Sequence, residues 1–278
     1  MILDASEKEN MFETLEIERA GGVATVWMNR PEMHNAFNAL LIADLTAACI
    51  ELDADASVRV VVLGGRGKSF SAGADLNWMK AASQASEDEN FADAMRLAGM
   101  YRTLSEMSKP TIARVQGAAL GGGMGLASAC DICVAADRAV FATSEVRFGI
   151  IPSAISPYVI RAIGERQAYR YFQTAERISA VRGEALGLVH EVVSSDQLDA
   201  KVAEIVASLL EGGPQSQAAA KDLIRAVANR PVTDAVVEDT ARRISTLRVT
   251  PEAREGLDAF LSKRPAAWVP AKEGDGNV

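Results

Sequence analysis

The chain has few of the residues that most often carry catalysis: its 278 residues include three cysteines and two histidines. Cys49, Cys130 and Cys133 are too few, and odd in number, for a disulfide framework, which points to a reducing, cytoplasmic setting. Cys130 and Cys133 have C-x-x-C spacing, but no second such pair and no histidine cluster completes a zinc site. They read as buried structural thiols, and no metal is expected. A Ser-His-Asp or Cys-His system would have to recruit His34 or His190, and no serine sits in a G-x-S-x-G elbow. His190 lies in an apolar run and reads as a core or interface residue, whereas His34, in a loop near Pro31, has access to a ligand.

A net positive charge is also lacking. A formal net charge of -8 gives no bulk footprint for nucleic acid or for an anionic membrane, so neither is expected as a partner. No apolar run is long enough to span a bilayer. The acidic opening, residues 1–10, has neither the basic start nor the apolar core of a signal peptide. Gly67-Lys68-Ser69 looks like the end of a P-loop, but Val62 stands where the first glycine is needed. Neither glycine-rich turn satisfies G-x-G-x-x-G, so a dinucleotide site is not expected.

What is present is a globular composition, 49% hydrophobic and 24% charged, in which strand patterns alternate with helical ones. Residues 14–18 and 23–28 alternate as strands around a Gly21-Gly22 turn. Leu41, Leu45, Ala48 and Leu52 recur at helical spacing, and 58–64 returns to strand. The polar stretch 81–93 reads as a mobile loop or fraying helix start and a candidate lid, followed by a helix over 94–107. Beyond Pro157 helical periodicity dominates, with helices expected over 167–173, 180–186, 197–211, 215–229, 232–248 and 251–263 and one strand over 187–193. We therefore expect a mixed α/β core over 11–200, a helical C-terminal region over 201–270, and flexible termini at 1–10 and 271–278.

Two glycine turns stand out. Ser71-Ala72-Gly73-Ala74-Asp75 and Gly117 through Gly123 each follow a strand-like run, and the second opens a helical stretch. Glycine lets bare backbone N–H groups approach a ligand, and a helix start adds unpaired donors and a favourable dipole. Such turns suit an oxyanion. Glu145, after the apolar strand 139–142, is the natural proton carrier beside them. Trp78 and Met79, at the start of the next helix, serve either core packing or an acyl pocket.

These residues carry a family resemblance. Residues 29–38 (Asn-Arg-Pro-Glu-Met-His-Asn-Ala-Phe-Asn), 70–76 (Phe-Ser-Ala-Gly-Ala-Asp-Leu), Gly117 through Gly123 and 145–152 (Glu-Val-Arg-Phe-Gly-Ile-Ile-Pro) resemble, in order and at fitting intervals, the signatures of the enoyl-CoA hydratase/isomerase (crotonase) superfamily. The resemblance runs from about Thr14 to Trp268. It implies a crotonase-like spiral of β-β-α repeats, a helical C-terminal region that mediates a homotrimer or dimer of trimers, and an acyl-CoA substrate. Coenzyme A would be part of the substrate, with no separate cofactor. It further implies that the Ala74 and Gly122 amides hold the thioester oxygen and that Glu145 is catalytic. Residues 35–37 (Asn35, Ala36 and Phe37), with the stretch Ala72 to Leu76 (including Gly73 and Asp75), would line the coenzyme A path. Gly125 would adjoin the substrate, and Lys263 would approach the adenine or phosphate end.

The best-known hydratases carry a second catalytic glutamate, and Gly125 holds that position here; the turn after Pro152, commonly rich in glycine, reads Ser153-Ala154-Ile155-Ser156. Both departures, with 72–79 and Ser144-Glu145-Val146-Arg147, resemble hydratases of branched glutaconyl-CoA thioesters, such as methylglutaconyl-CoA and isohexenylglutaconyl-CoA (γ-carboxygeranoyl-CoA), in leucine or terpene breakdown. Water addition to such an enoyl-CoA is the leading expectation. Double-bond isomerisation, needing one acid/base, and acyl-CoA binding without turnover are the alternatives. Arg147 is either a surface residue or a partner for a substrate carboxylate.

Overall fold

The computed structural model describes residues 12–270, so the termini expected to be flexible lie outside the described residues. Strands β1 (Leu15–Ala20) and β2 (Val23–Met28) pair antiparallel through the expected glycine turn, Leu15 opposite Met28. Helix α1 (Ala39–Ala54) starts at Asn38, whose side chain accepts the Leu41 N–H, and it buries Leu41, Leu45, Ala48 and Leu52. Strand β3 (Val60–Gly65) then returns parallel to β2. All six of its residues are buried, which explains its unbroken Val-Val-Val-Leu run.

Helices α2 (Leu76–Ala82) and α3 (Glu87–Glu106) follow. Of the two readings of the stretch 81–93, mobile loop or helix start, the structure shows a helix start. Ser86 and Glu89 form a reciprocal capping box and three acidic residues occupy the first turn of α3, so the polar composition marks a helix N-terminus. The chain then repeats one pattern: a strand, a short strand, a helix. It runs β4 (Thr111–Val115), β5 (Ala118–Leu120) and α4 (Gly122–Ala129), then β6 (Ile132–Ala136), β7 (Val140–Ala142) and α5 (Ser156–Ile163). Next come α6 (Glu165–Thr174), β8 (Ile178–Ser179), α7 (Ala180–Leu186) and β9 (Glu191–Val193).

Among the described residues, one sheet has the order β1-β2-β3-β4-β6-β9 and a smaller one β5-β7-β8. Single parallel bridges, Phe37 to Ala74 and Ser71 to Ala119, extend the smaller layer towards the first glycine turn. This layering is the α/β crotonase fold expected from the sequence.

Two local expectations are corrected. Helix α5 lies ahead of the first helix read in this region and begins around Pro157, a residue suited to a first turn. The strand expected over 187–193 is confined to Glu191–Val193. Gly187, at φ 85°, instead ends α7, and the Gly183 carbonyl accepts the Leu188 and Val189 N–H groups. Leu188 and Val189 are thus the buried apolar contact of a helix cap, and His190 is exposed. Its Nδ1 accepts the Cys133 N–H.

A second compact unit comprises Ser108–Pro110 and the chain from Glu204 on, so the division falls inside α8 (Leu198–Glu211). It contains α9 (Pro214–Val227), α10 (Asp234–Arg248) and α11 (Pro251–Leu261). The Glu252 carboxylate of α11 accepts the Gln215 and Ser216 N–H groups, and so caps α9. Phe260 and Leu261 are 79% and 77% exposed. No described helix is long and apolar enough to cross a membrane.

Candidate active site

The first unit brings the two glycine turns together. Main-chain bonds fix the first: the Gly73 carbonyl accepts the Phe37 N–H and the Phe37 carbonyl accepts the Asp75 N–H. The intervening Ala74 N–H therefore faces away from Phe37, and Ala74 is exposed. The second turn is tied through the Gly121 N–H to the Ala142 carbonyl. Gly122 begins α4, where an N–H has no intrahelical acceptor. Neither the Ala74 nor the Gly122 N–H has an acceptor among the described residues.

The turns meet at glycines. A Cβ on Gly73, whose φ is +87°, would lie 2.8 Å from the Leu120 carbonyl oxygen and 3.5 Å from the Gly122 nitrogen. A Cβ on Gly121 would lie 3.3 Å from Glu145 Oε1. Glu145 is thus carried to the second turn by the 3₁₀ turn Glu145–Phe148 that follows β7. Its Oε2 is buried with no hydrogen-bond partner among the described residues, and burial raises its pKa above the ordinary carboxylate value against a weaker opposing bond from its own amide. Two unpaired donors beside one carboxylate suit binding an oxyanion and moving a proton.

The remaining predicted residues divide. Ala36 and Phe37 are buried, with Phe37 beneath the first turn; Ala72 is half-buried and Leu76 is 76% exposed. Asp75, 4% exposed, accepts the Asn77 and Trp78 N–H groups as the cap of α2 and pairs with Arg30 at 3.0 Å. Burial would raise its carboxyl, but Arg30 and the two amides hold it below its ordinary value. Lys263 belongs to the second unit, one residue past the cap of α11, with φ +52°. Arg147 is exposed and donates to the Ala175 carbonyl. His34 is exposed, its Nδ1 3.1 Å from Ser69 Oγ. Trp78 is partly buried against the core. Cys130 and Cys133 are buried, and burial alone pushes the Cys133 thiol up to about 12.

Gly125 is buried, and its surroundings are already full. A Cβ there would lie 2.2 Å from Ile155 Cγ2 and 3.0 Å from Tyr101 Cε1. Two residues support the turns: Asn35, which the family resemblance placed on the coenzyme A path, and Tyr101, which sequence reading missed. Asn35, fully buried at φ +54°, donates to the Arg66, Ser69 and Phe70 carbonyls and accepts the Arg30 N–H, which clamps the first turn. Tyr101, fully buried in α3, donates to the Gly122 carbonyl at 2.9 Å. A lone tyrosine in a helical pattern gives no signal of such a bond.

The enoyl-CoA hydratase/isomerase family pattern matches residues 18–271. The chain belongs to that family. An enoyl-CoA hydratase structure from Shewanella pealeana is 39% identical, with a TM-score of 0.90 over 93% of this chain and 97% of that one. A crotonyl-CoA hydratase from Syntrophomonas wolfei is 32% identical over 93% of this family member and 98% of its own length. A 4-chlorobenzoyl coenzyme A dehalogenase from Arthrobacter is 31% identical over 91% and 92% respectively.

Proposed function

We propose that this protein is an enoyl-CoA hydratase acting on a branched glutaconyl-CoA type of thioester. One observation carries the reading: Glu145, its pKa raised by burial, stands beside the glycine turns whose Ala74 and Gly122 N–H groups have no acceptor among the described residues. Adding water next to a thioester builds negative charge on the thioester oxygen. The two amides would hold that enolate, and losing one such donor typically costs ~2.7–4 kcal/mol. Glu145 would move the proton, and the substrate's own second carboxylate would help orient the water in place of a side chain at Gly125. The branched acyl group is supported by the sequence pattern of 72–79 and 144–147. Phe260 and Leu261, exposed on a single chain, support trimer formation through the helical region. Buried thiols support a cytoplasmic setting.

Relatives at similar identity include a dehalogenase, so overall likeness does not choose the reaction. Isomerisation is the second reading, favoured by the filled space at Gly125, because it needs one acid/base alone. Incubation with 3-methylglutaconyl-CoA in ¹⁸O-water separates the two: oxygen incorporation supports the hydratase, and a shifted double bond without label supports the isomerase. Tight binding of enoyl thioesters without turnover of any would overturn both.

A further inference from the structure

We propose that Tyr101 is a positioning residue that, together with Phe37, sets the aim of the two amide donors. The inference rests on the reading of those amides as thioester-oxygen donors. Tyr101 is fully buried, and a buried phenol requires a partner; its partner is the carbonyl of Gly122, the residue that offers one of the two unpaired amides. The same hydroxyl closes the open side of that glycine. A Cβ on Gly122 would lie 2.8 Å from Tyr101 Oη and 2.5 Å from Phe37 Cε2. Gly122 therefore has little lateral freedom despite lacking a side chain.

Phe37 performs the matching task at the first turn, where its N–H and carbonyl bond to the residues flanking Ala74. The two rings touch, with centroids 6.5 Å apart and planes inclined by 48°. On its other side the Tyr101 ring meets Tyr158 at 5.8 Å. One aromatic contact thus links the supports of both donors. Burial, and then the charge of Glu145, keep the phenol protonated, so it donates at all working pH values.

The test is Tyr101→Phe, which keeps the ring and its packing and deletes the hydroxyl alone. A misaimed group at a reacting centre costs up to roughly 100-fold, so kcat should fall about 10- to 100-fold with KM within about threefold. A probe that needs no turnover gives the second readout: 4-(dimethylamino)cinnamoyl-CoA, whose absorption moves to the red as its carbonyl is polarised. The variant should bind it with near-normal affinity and a clearly smaller red shift. A shift equal to that of the unsubstituted protein overturns the inference, whether kcat is retained or falls together with thermal stability. No red shift in the unsubstituted protein overturns the thioester reading itself and this inference with it.

Discussion

Ile155 occupies the space beside Gly125: its Cγ2 would be 2.2 Å from a Cβ at that glycine. The absence of a carboxylate on α4 is therefore built into the packing, and two positions remote in sequence are one structural choice. Adding a methyl should strain the core. Gly125→Ala is expected to cost about 1–3 kcal/mol. Ile155→Ala in the same chain should recover part of that, so that urea denaturation shows the double variant more stable than the sum of the singles. Additive losses would contradict the contact.

Glu145→Gln should lower kcat by roughly 10²–10⁴-fold, the usual contribution of a positioned proton carrier. In the unsubstituted protein the acid limb of kcat/KM should lie above the ordinary glutamate range, because burial raises this carboxyl. Near-normal turnover of the variant would remove Glu145 from the mechanism.

The same group makes stability depend on pH with a definite sign. The folded state binds the Glu145 proton more tightly than the unfolded state does. Its contribution is then fully present below the unfolded pKa and is lost as pH rises through the raised folded value. Glu145→Gln should raise Tm at neutral pH, and the gain should vanish in acid below the ordinary glutamate value. Thermal melts across that range measure it.

Asp75 has the opposite sign. Arg30 and two amides hold its carboxyl low against burial, so its contribution is present above the unfolded pKa and is lost as pH falls through the folded value. Asp75→Ala leaves Arg30 without this carboxylate and strips the α2 cap, with an expected loss of about 3–5 kcal/mol. Asp75→Asn should flatten the acid limb of the stability profile.

Gly73→Ala tests the meeting of the turns. At φ +87° with the Leu120 carbonyl 2.8 Å from the new Cβ, the first turn must move away from the second. Activity should fall about 100-fold or more if the donors are displaced by an ångström. Steady-state kinetics beside a far-ultraviolet spectrum separates this from unfolding.

Much of the fold was legible because periodic burial dictates it. Leu41, Leu45, Ala48 and Leu52 face the core as their spacing requires, and the termini of α7 match its sequence pattern. The meeting of the two glycine turns with Glu145 was legible too, since both turns and the carboxylate each follow a strand-like run. Composition alone left 81–93 open between a loop and a helix start, and the capping pair Ser86 and Glu89 decides for the helix start. Leu188 and Val189 read as strand although they pack as a helix cap, because a short apolar run has no period of its own. Tyr101 was silent, and Ile155 showed only as a departure in the turn after Pro152, since their roles depend on which glycines lie opposite them.

The parallel bridges from Phe37 to Ala74 and from Ser71 to Ala119 have a consequence for which substitutions the frame tolerates. They fix the first glycine turn to Phe37 and to β5 through main-chain bonds, which need no particular side chain at Phe37, Ala74, Ser71 or Ala119. Paired changes in packing, such as one at Gly125 with one at Ile155, therefore leave these main-chain links in place. The backbone frame and the side chains packed against it are separable parts of this fold.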